Sequence, residues 1–152
     1  MHIEAKLLQM GLDLQEPGPP AGNYVGAVRV GNLLFVSGHG PRRQGQYITG
    51  KVGRDLNTEQ AYEVAKVVML NCLASVQREL GDLDRVKRIV KLLGMVNCTE
   101  DFTEQPRVIN GASDLLVALY GEQGRHARSA VGMQQLPMNI PVEIELIVEV
   151  QE

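Results

Sequence analysis

From Val142 to Val150 apolar side chains fill the even positions, while Glu143, Glu145 and Glu149 take odd ones. This is the period-two pattern of a strand with one face on a core. A chain carrying such a stretch must build a sheet with a dry side and an acidic side. The β-prone run that precedes it begins at Arg128, and a loop around Pro137 and Pro141 separates the two. If the runs pair as a hairpin across that loop, the Arg128 guanidinium approaches Glu143, the first carboxylate of the acidic face. The two then form a candidate site for a small anion.

The rest of the chain supplies what covers the dry side. Ile3, Leu7, Leu8 and Met10 space a short amphipathic helix that Gly11 can end. The stretch Glu16-Pro-Gly-Pro-Pro-Ala-Gly cannot donate a regular backbone ladder and reads as a connector. Tyr24 to Val30 and Leu33 to Ser37 describe a β-hairpin turned at Gly31-Asn32, with the second strand expected in the interior of the sheet. Residues 38–45 hold three glycines, at Gly38, Gly40 and Gly45, which permit close backbone approach to a ligand but equally make a flexible turn. Asn57 followed by Gln60 can form a capping box. The apolar residues Ala61, Val64, Ala65, Val68, Cys72, Leu73, Val76 and Leu80 then recur at helical steps until Gly81. Val86 to Val96 is rich in Val, Ile and Leu and reads as a sheet strand, and a second helix is expected from Thr103 to Tyr120 with Pro106 in its first turn.

Hairpin, helix, strand, helix and strand pair imply an α+β domain in which two long helices cover one face of a mixed sheet. No helix remains for the other face, so association with further copies is the economical way to bury it. One domain spanning residues 1–152 is expected, with residues 1–23 as a helical arm and connector.

Composition excludes several classes of function. A formal net charge of −3, without a cluster of basic residues, gives no electrostatic footprint for nucleic acid or anionic membrane. No apolar run approaches the ~20 residues that span a bilayer, and the N-terminus lacks a signal-peptide core. A cytoplasmic location is expected. Cys72 and Cys98 form no CxxC pair and suit core packing in a reduced compartment. The three histidines, His2, His39 and His126, have no metal-binding spacing, so no metal is expected. P-loop, dinucleotide and nucleophile-elbow motifs are missing as well.

Tyr24, Gly31-Asn32, Ser37-Gly38 with Pro41 after it, Asn110, Ala127-Arg128-Ser129, Leu136-Pro137 and Val142-Glu-Ile-Glu form a pattern. It resembles the reactive intermediate deaminase family, also called Rid or YjgF, or endoribonuclease L-PSP. The resemblance runs from about residue 24 to 150. It implies a chorismate-mutase-like fold, a homotrimer with sheets lining the centre, and sites in clefts between subunits. It further implies hydrolysis of 2-imino or 2-enamino acids to 2-keto acids and ammonia, without a cofactor. On that pattern Arg128 binds the substrate carboxylate and Glu143 positions or activates water. Tyr24, Ser37, Gly38 and Asn110 line the cleft. Arginine suits the first role because its planar fork matches a carboxylate. Ala130, His39 and His126 stand where the deaminase branch commonly has other residues, and the N-terminal arm is extra, so a divergent subgroup is implied. Two other functions stay open: a non-catalytic trimer that binds a small carboxylate metabolite in a regulatory role, and, less favoured, an endoribonuclease.

Overall fold

The computed structural model describes residues 2–152 of the chain. Helix α1 spans His2–Gln9, α2 Thr58–Leu80 and α3 Gln105–Tyr120. The strands are β1 Ala27–Val30, β2 Leu33–His39, β3 Arg42–Arg43, β4 Gln46–Tyr47, β5 Val86–Asn97, β6 Ala127–Met133 and β7 Val142–Val150. Five of them form one sheet in the order β1-β2-β7-β5-β6, and β3 pairs only with β4.

Local signals place the helix ends. The Asn57 side chain accepts from Gln60 N at 2.8 Å and the Gln60 side chain accepts from Asn57 N at 2.9 Å, so the expected capping box closes and starts α2. At the other end Gly81 takes a left-handed conformation and donates to Gln77 O. Pro106 lies in the first turn of α3, where its missing N–H costs nothing. The helices pack side by side on one face of the sheet. Their apolar stripes meet Leu34, Leu92, Ile144 and Leu146, all almost fully buried. Helix α1 docks at the far end of this layer through Ile3 and Leu7, and Lys6 Nζ donates to Leu119 O at 3.0 Å. Both cysteines are free and buried.

The N-terminal hairpin is present but shorter than its pattern: β1 begins at Ala27, which leaves Tyr24 outside the strand. In the glycine loop, Gln44 and Gly45 turn the small β3–β4 ribbon with φ of 51° and 81°.

The expected pairing of the last two strands does not occur. Strand β5 lies between them, parallel to β6 and antiparallel to β7. Two long-range anchors make the intervening loop pass the end of β5 instead of folding back. Asn97, at the end of β5 and fully buried, donates from Nδ2 to Asn139 Oδ1 and Ile140 O, each at 3.1 Å. The Lys51 ammonium donates to Asn97 Oδ1 at 2.7 Å and to the Gln134 carbonyl.

Register then decides which way each side chain points, because facing residues share a side of a sheet. Arg128, Leu92 and Leu146 form one row, under the helices. Val131, Met95 and Glu143 form another, on the helix-free side. That second face also carries Val28, Val30, Leu33 and Phe35, all exposed, with Val30 61% accessible. It is the apolar, acid-edged surface that the helix count leaves uncovered.

Candidate active site

The side chains singled out from sequence fall into two groups at opposite ends of the sheet. Arg128 belongs to the outer strand β6 and points toward α3. Its Nη1 donates to Asn110 Oδ1 at 2.7 Å and to Ser113 Oγ at 3.1 Å. These acceptors sit three residues apart on α3, hence on one face of it. Ser113 Oγ in turn lies 2.9 Å from His126 Nε2, and His126 Nδ1 lies 2.7 Å from the Gly124 carbonyl oxygen. Among the described residues Arg128 has no carboxylate partner. Among the described residues its hydrogen bonds use only Nη1, which leaves Nε and Nη2 as the open side of the fork.

The second group surrounds a cavity of about 530 Å³ between the connector and α2. Tyr24, Ser37, Gly38 and His39 line it, with Pro17 to Ala21 across from them. Tyr24 is half exposed, and its hydroxyl accepts from Ala21 N at 3.2 Å. Ser37 Oγ donates to Val25 O at 2.6 Å. A register shift between Val36 and His39 bulges β2 here. The bulge turns His39 toward α2, where Nε2 lies 2.7 Å from Ser75 Oγ, while Nδ1 lies 2.6 Å from Ser37 O. Burial pushes the His39 ring below its ordinary pKa, partly offset by the bond to Ser37.

Glu143 stands on β7 beside Gly38. A Cβ on Gly38 would meet Glu143 Oε2 at 2.3 Å, so glycine at this position is what lets the carboxylate lie over the β2 backbone. Partial burial raises the Glu143 pKa above the usual carboxylate value, and the neighbouring Glu145 charge adds to it. Such a group takes and returns a proton more readily near neutrality than an exposed carboxylate.

Arg128 and Glu143 therefore do not meet within one chain. Strand β5 separates their strands, and the two side chains lie on opposite faces of the sheet. Strands β2 and β6 are three spacings apart, ~14 Å. The Arg128–Glu143 pair expected from a hairpin is replaced by Arg128 with Asn110 and Ser113, and by Glu143 with Gly38.

Ser113 and Ser75 carried no sequence signal of their own. For Ser113 the signal was its phase, one turn beyond Asn110 on α3, but reading it required knowing that β6 lies under that helix. Glu4, Asp82 and Asp84 bring three carboxylates close together. All three cap backbone: Asp84 accepts from His2 N and Ile3 N at 2.8 and 2.9 Å, Glu4 from Leu83 N at 3.1 Å, and Asp82 from Asp84 N at 2.9 Å. No helix among the described residues is long and apolar enough to cross a membrane.

Comparison with known proteins fits this geometry. The chain is 44% identical over 150 residues to Protein TCP17 of Trypanosoma cruzi, covering 97% of this chain and 94% of that one. The crystal structure of Atu1372 from Agrobacterium tumefaciens, a protein of unknown function, is 45% identical with a TM-score of 0.90, over 98% and 92% of the two chains. RidA from an Antarctic Psychrobacter is 26% identical with a TM-score of 0.62, over 89% and 94%. The looser match to RidA agrees with a divergent subgroup. The family model described as "YjgF/chorismate_mutase-like, putative endoribonuclease" matches residues 4–150, and the chain belongs to that family.

Proposed function

We propose that this protein hydrolyses 2-imino and 2-enamino acids to 2-keto acids and ammonia, in clefts completed by a neighbouring copy. The observation that carries the reading is the state of Arg128. Its guanidinium is half-buried, held at one nitrogen by two neutral acceptors, and has no carboxylate partner among the described residues. A cation so placed retains its charge and a free fork for a carboxylate brought from outside. Asn110 then acts as the side chain that orients it.

Because Glu143 faces away from Arg128, both groups reach one substrate only if the β6 edge of one copy meets the β2–β7 end of another. The helix-free sheet face supplies the apolar surface for that association. A homotrimer with three such sheets around its centre satisfies both requirements. It should sediment near three times 16.7 kDa.

In this site Arg128 binds the carboxylate of the imino acid, and the neighbour's Glu143 lies against the reacting carbon. An enamine takes a proton at its terminal carbon and becomes the iminium ion directly, whereas an imine reaches the same ion by taking a proton at nitrogen. The carbon of that ion is electrophilic. Glu143 accepts a proton from water as the oxygen adds to that carbon, and the resulting carbinolamine carries both hydroxyl and amine. Glu143 returns its proton to the nitrogen, and ammonia leaves as the C=O bond forms and the hydroxyl proton passes back to the Glu143 carboxylate. Proximity and proton transfer supply the rate, and no cofactor takes part.

The separation of Arg128 and Glu143 within one copy also favours a second reading, a non-catalytic carboxylate-binding trimer. The two divide on turnover. An amino-acid oxidase generates the imine in situ, and semicarbazide traps whatever remains. Added protein should speed disappearance of the trapped imine. Binding of keto acids without acceleration across several imines would establish the binding module instead. A ribonuclease assay on highly purified protein tests the family's endoribonuclease label, which the net negative charge of the chain does not favour.

A further inference from the structure

Two residues outside the family pattern control how Arg128 is presented, and we propose that Ser113 and His126 are positioning residues for carboxylate binding. This rests on the reading that Arg128 holds the substrate carboxylate.

The argument starts at Gly124. Its carbonyl oxygen can only accept, so the contact at 2.7 Å requires a proton on His126 Nδ1. In the neutral ring Nε2 is then an acceptor, and at 2.9 Å it takes the hydroxyl proton of Ser113. Ser113 has one proton to give, so its oxygen faces Arg128 as a pure acceptor at 3.1 Å. The second Nη1 proton goes to Asn110 Oδ1 at 2.7 Å. With both protons of one nitrogen engaged, the guanidinium plane has one orientation, and its free edge is aimed before any ligand arrives. Burial and the adjacent Arg128 charge both hold the His126 ring toward its neutral form, the form this chain requires. The serine and the histidine touch no substrate in this arrangement and act only through the arginine.

The test measures 2-oxobutanoate affinity and melting temperature on the full-length protein and its variants. Ser113→Ala and His126→Leu should each weaken binding about tenfold, the effect of one hydrogen bond to a charged group. The double variant should bind no more weakly than either single one, because both changes cut the same chain. His126→Gln, whose amide oxygen can take the place of Nε2 and accept from Ser113, should recover most of the affinity. A merely structural role predicts losses that multiply, track melting temperature and are not rescued by glutamine, and that result would overturn the proposal. Wild-type affinity in both single variants, with loss in Arg128→Ala, overturns this proposal alone. Wild-type affinity in Arg128→Ala overturns the carboxylate reading too. Should a variant fail to fold, ring nitrogen-15 shifts of His126 in the wild-type protein decide. A neutral ring protonated at Nδ1, with Nε2 perturbed by saturating 2-oxobutanoate, is expected. A charged ring or the opposite tautomer at pH 7.5 refutes the chain.

Discussion

The molecule uses one hydrogen-bond device twice. At the end of β2, His39 binds the carbonyl of the residue two before it and the hydroxyl of Ser75 on α2, at 2.6 and 2.7 Å. Just before β6, His126 binds the carbonyl two before it and the hydroxyl of Ser113 on α3, at 2.7 and 2.9 Å. Both rings are buried enough to favour the neutral form. What differs is the far side of the serine. Ser75 is buried, 5% accessible, and among the described residues its hydroxyl bonds only His39, whereas Ser113 passes on to a guanidinium. The same local chemistry pins a strand to a helix in one place and presents a cation in the other.

The largest effect should come from removing that cation. Arg128→Ala deletes a charge-assisted, two-pronged contact and should weaken keto-acid binding by ~2–5 kcal/mol, or about 30-fold to several thousand-fold. Arg128→Lys should recover only part, since an ammonium cannot hold Asn110 and Ser113 while also forking a carboxylate. The melting temperature should change little, because the partners of Arg128 are neutral and no buried carboxylate is stranded. Titration calorimetry with thermal melts on one sample checks both halves. Unchanged affinity in a well-folded variant removes Arg128 from the site.

The next effect separates the two regions through the packing of α3. A Cβ on Gly111 would meet the Tyr62 carbonyl oxygen at 1.9 Å, so α3 approaches α2 this closely only with glycine there. Gly111→Ala must force the helices apart and should cost ~1–3 kcal/mol of stability. Asn110 and Ser113 ride on the displaced helix, so keto-acid affinity should fall as well, while the His39–Ser75 contact persists on α2. Denaturant titration gives the first quantity. Wild-type affinity at reduced stability would show that the orientation of Arg128 tolerates a shift of α3.

Acid should expose both histidines. In each the folded-state pKa is lowered from 6.5, so the unfolded chain binds more protons in the window below that value. Stability present above about pH 6.5 is therefore lost as pH falls through the folded pKa. Glu143 has the opposite sign: its pKa is raised from 4.5, so its share of stability is present below that value and lost as pH rises through the folded one. His39→Gln should flatten the fall in melting temperature between pH 7 and pH 5 without altering keto-acid affinity. His126→Gln should flatten it too. An unchanged slope in both variants would place the acid sensitivity elsewhere.

How much of this was legible in the sequence depended on range. The ends of α2 were readable because Asn57, Gln60 and Gly81 act within a few residues of one another. The alternation of β7 correctly assigned Glu143 to the face opposite the core. The partner of β7 was not readable: β6 is its neighbour in sequence, yet β5 takes the place between them, and the anchors responsible, Lys51 and Asn97, come from distant parts of the chain. That one error of pairing put Arg128 beside Glu143. The family pattern named candidate residues without showing that they divide between two ends of the sheet.

The smallest effect concerns the connector that faces the second group. Tyr24 lies outside β1, half exposed, and its hydroxyl accepts one hydrogen bond, from Ala21 N at 3.2 Å. At that exposure water replaces the lost partner, so Tyr24→Phe should lower stability by no more than ~0.5 kcal/mol. The ring still fills its share of the cavity wall. If the phenol only ties the connector, turnover and keto-acid affinity stay at wild-type values. If it also meets the substrate held by a neighbour's Arg128, KM rises or kcat falls while the melting temperature holds. Steady-state kinetics beside a thermal melt separate the two. A change confined to the melting temperature takes Tyr24 out of the site and leaves its hydroxyl as a tether for the Pro-rich connector.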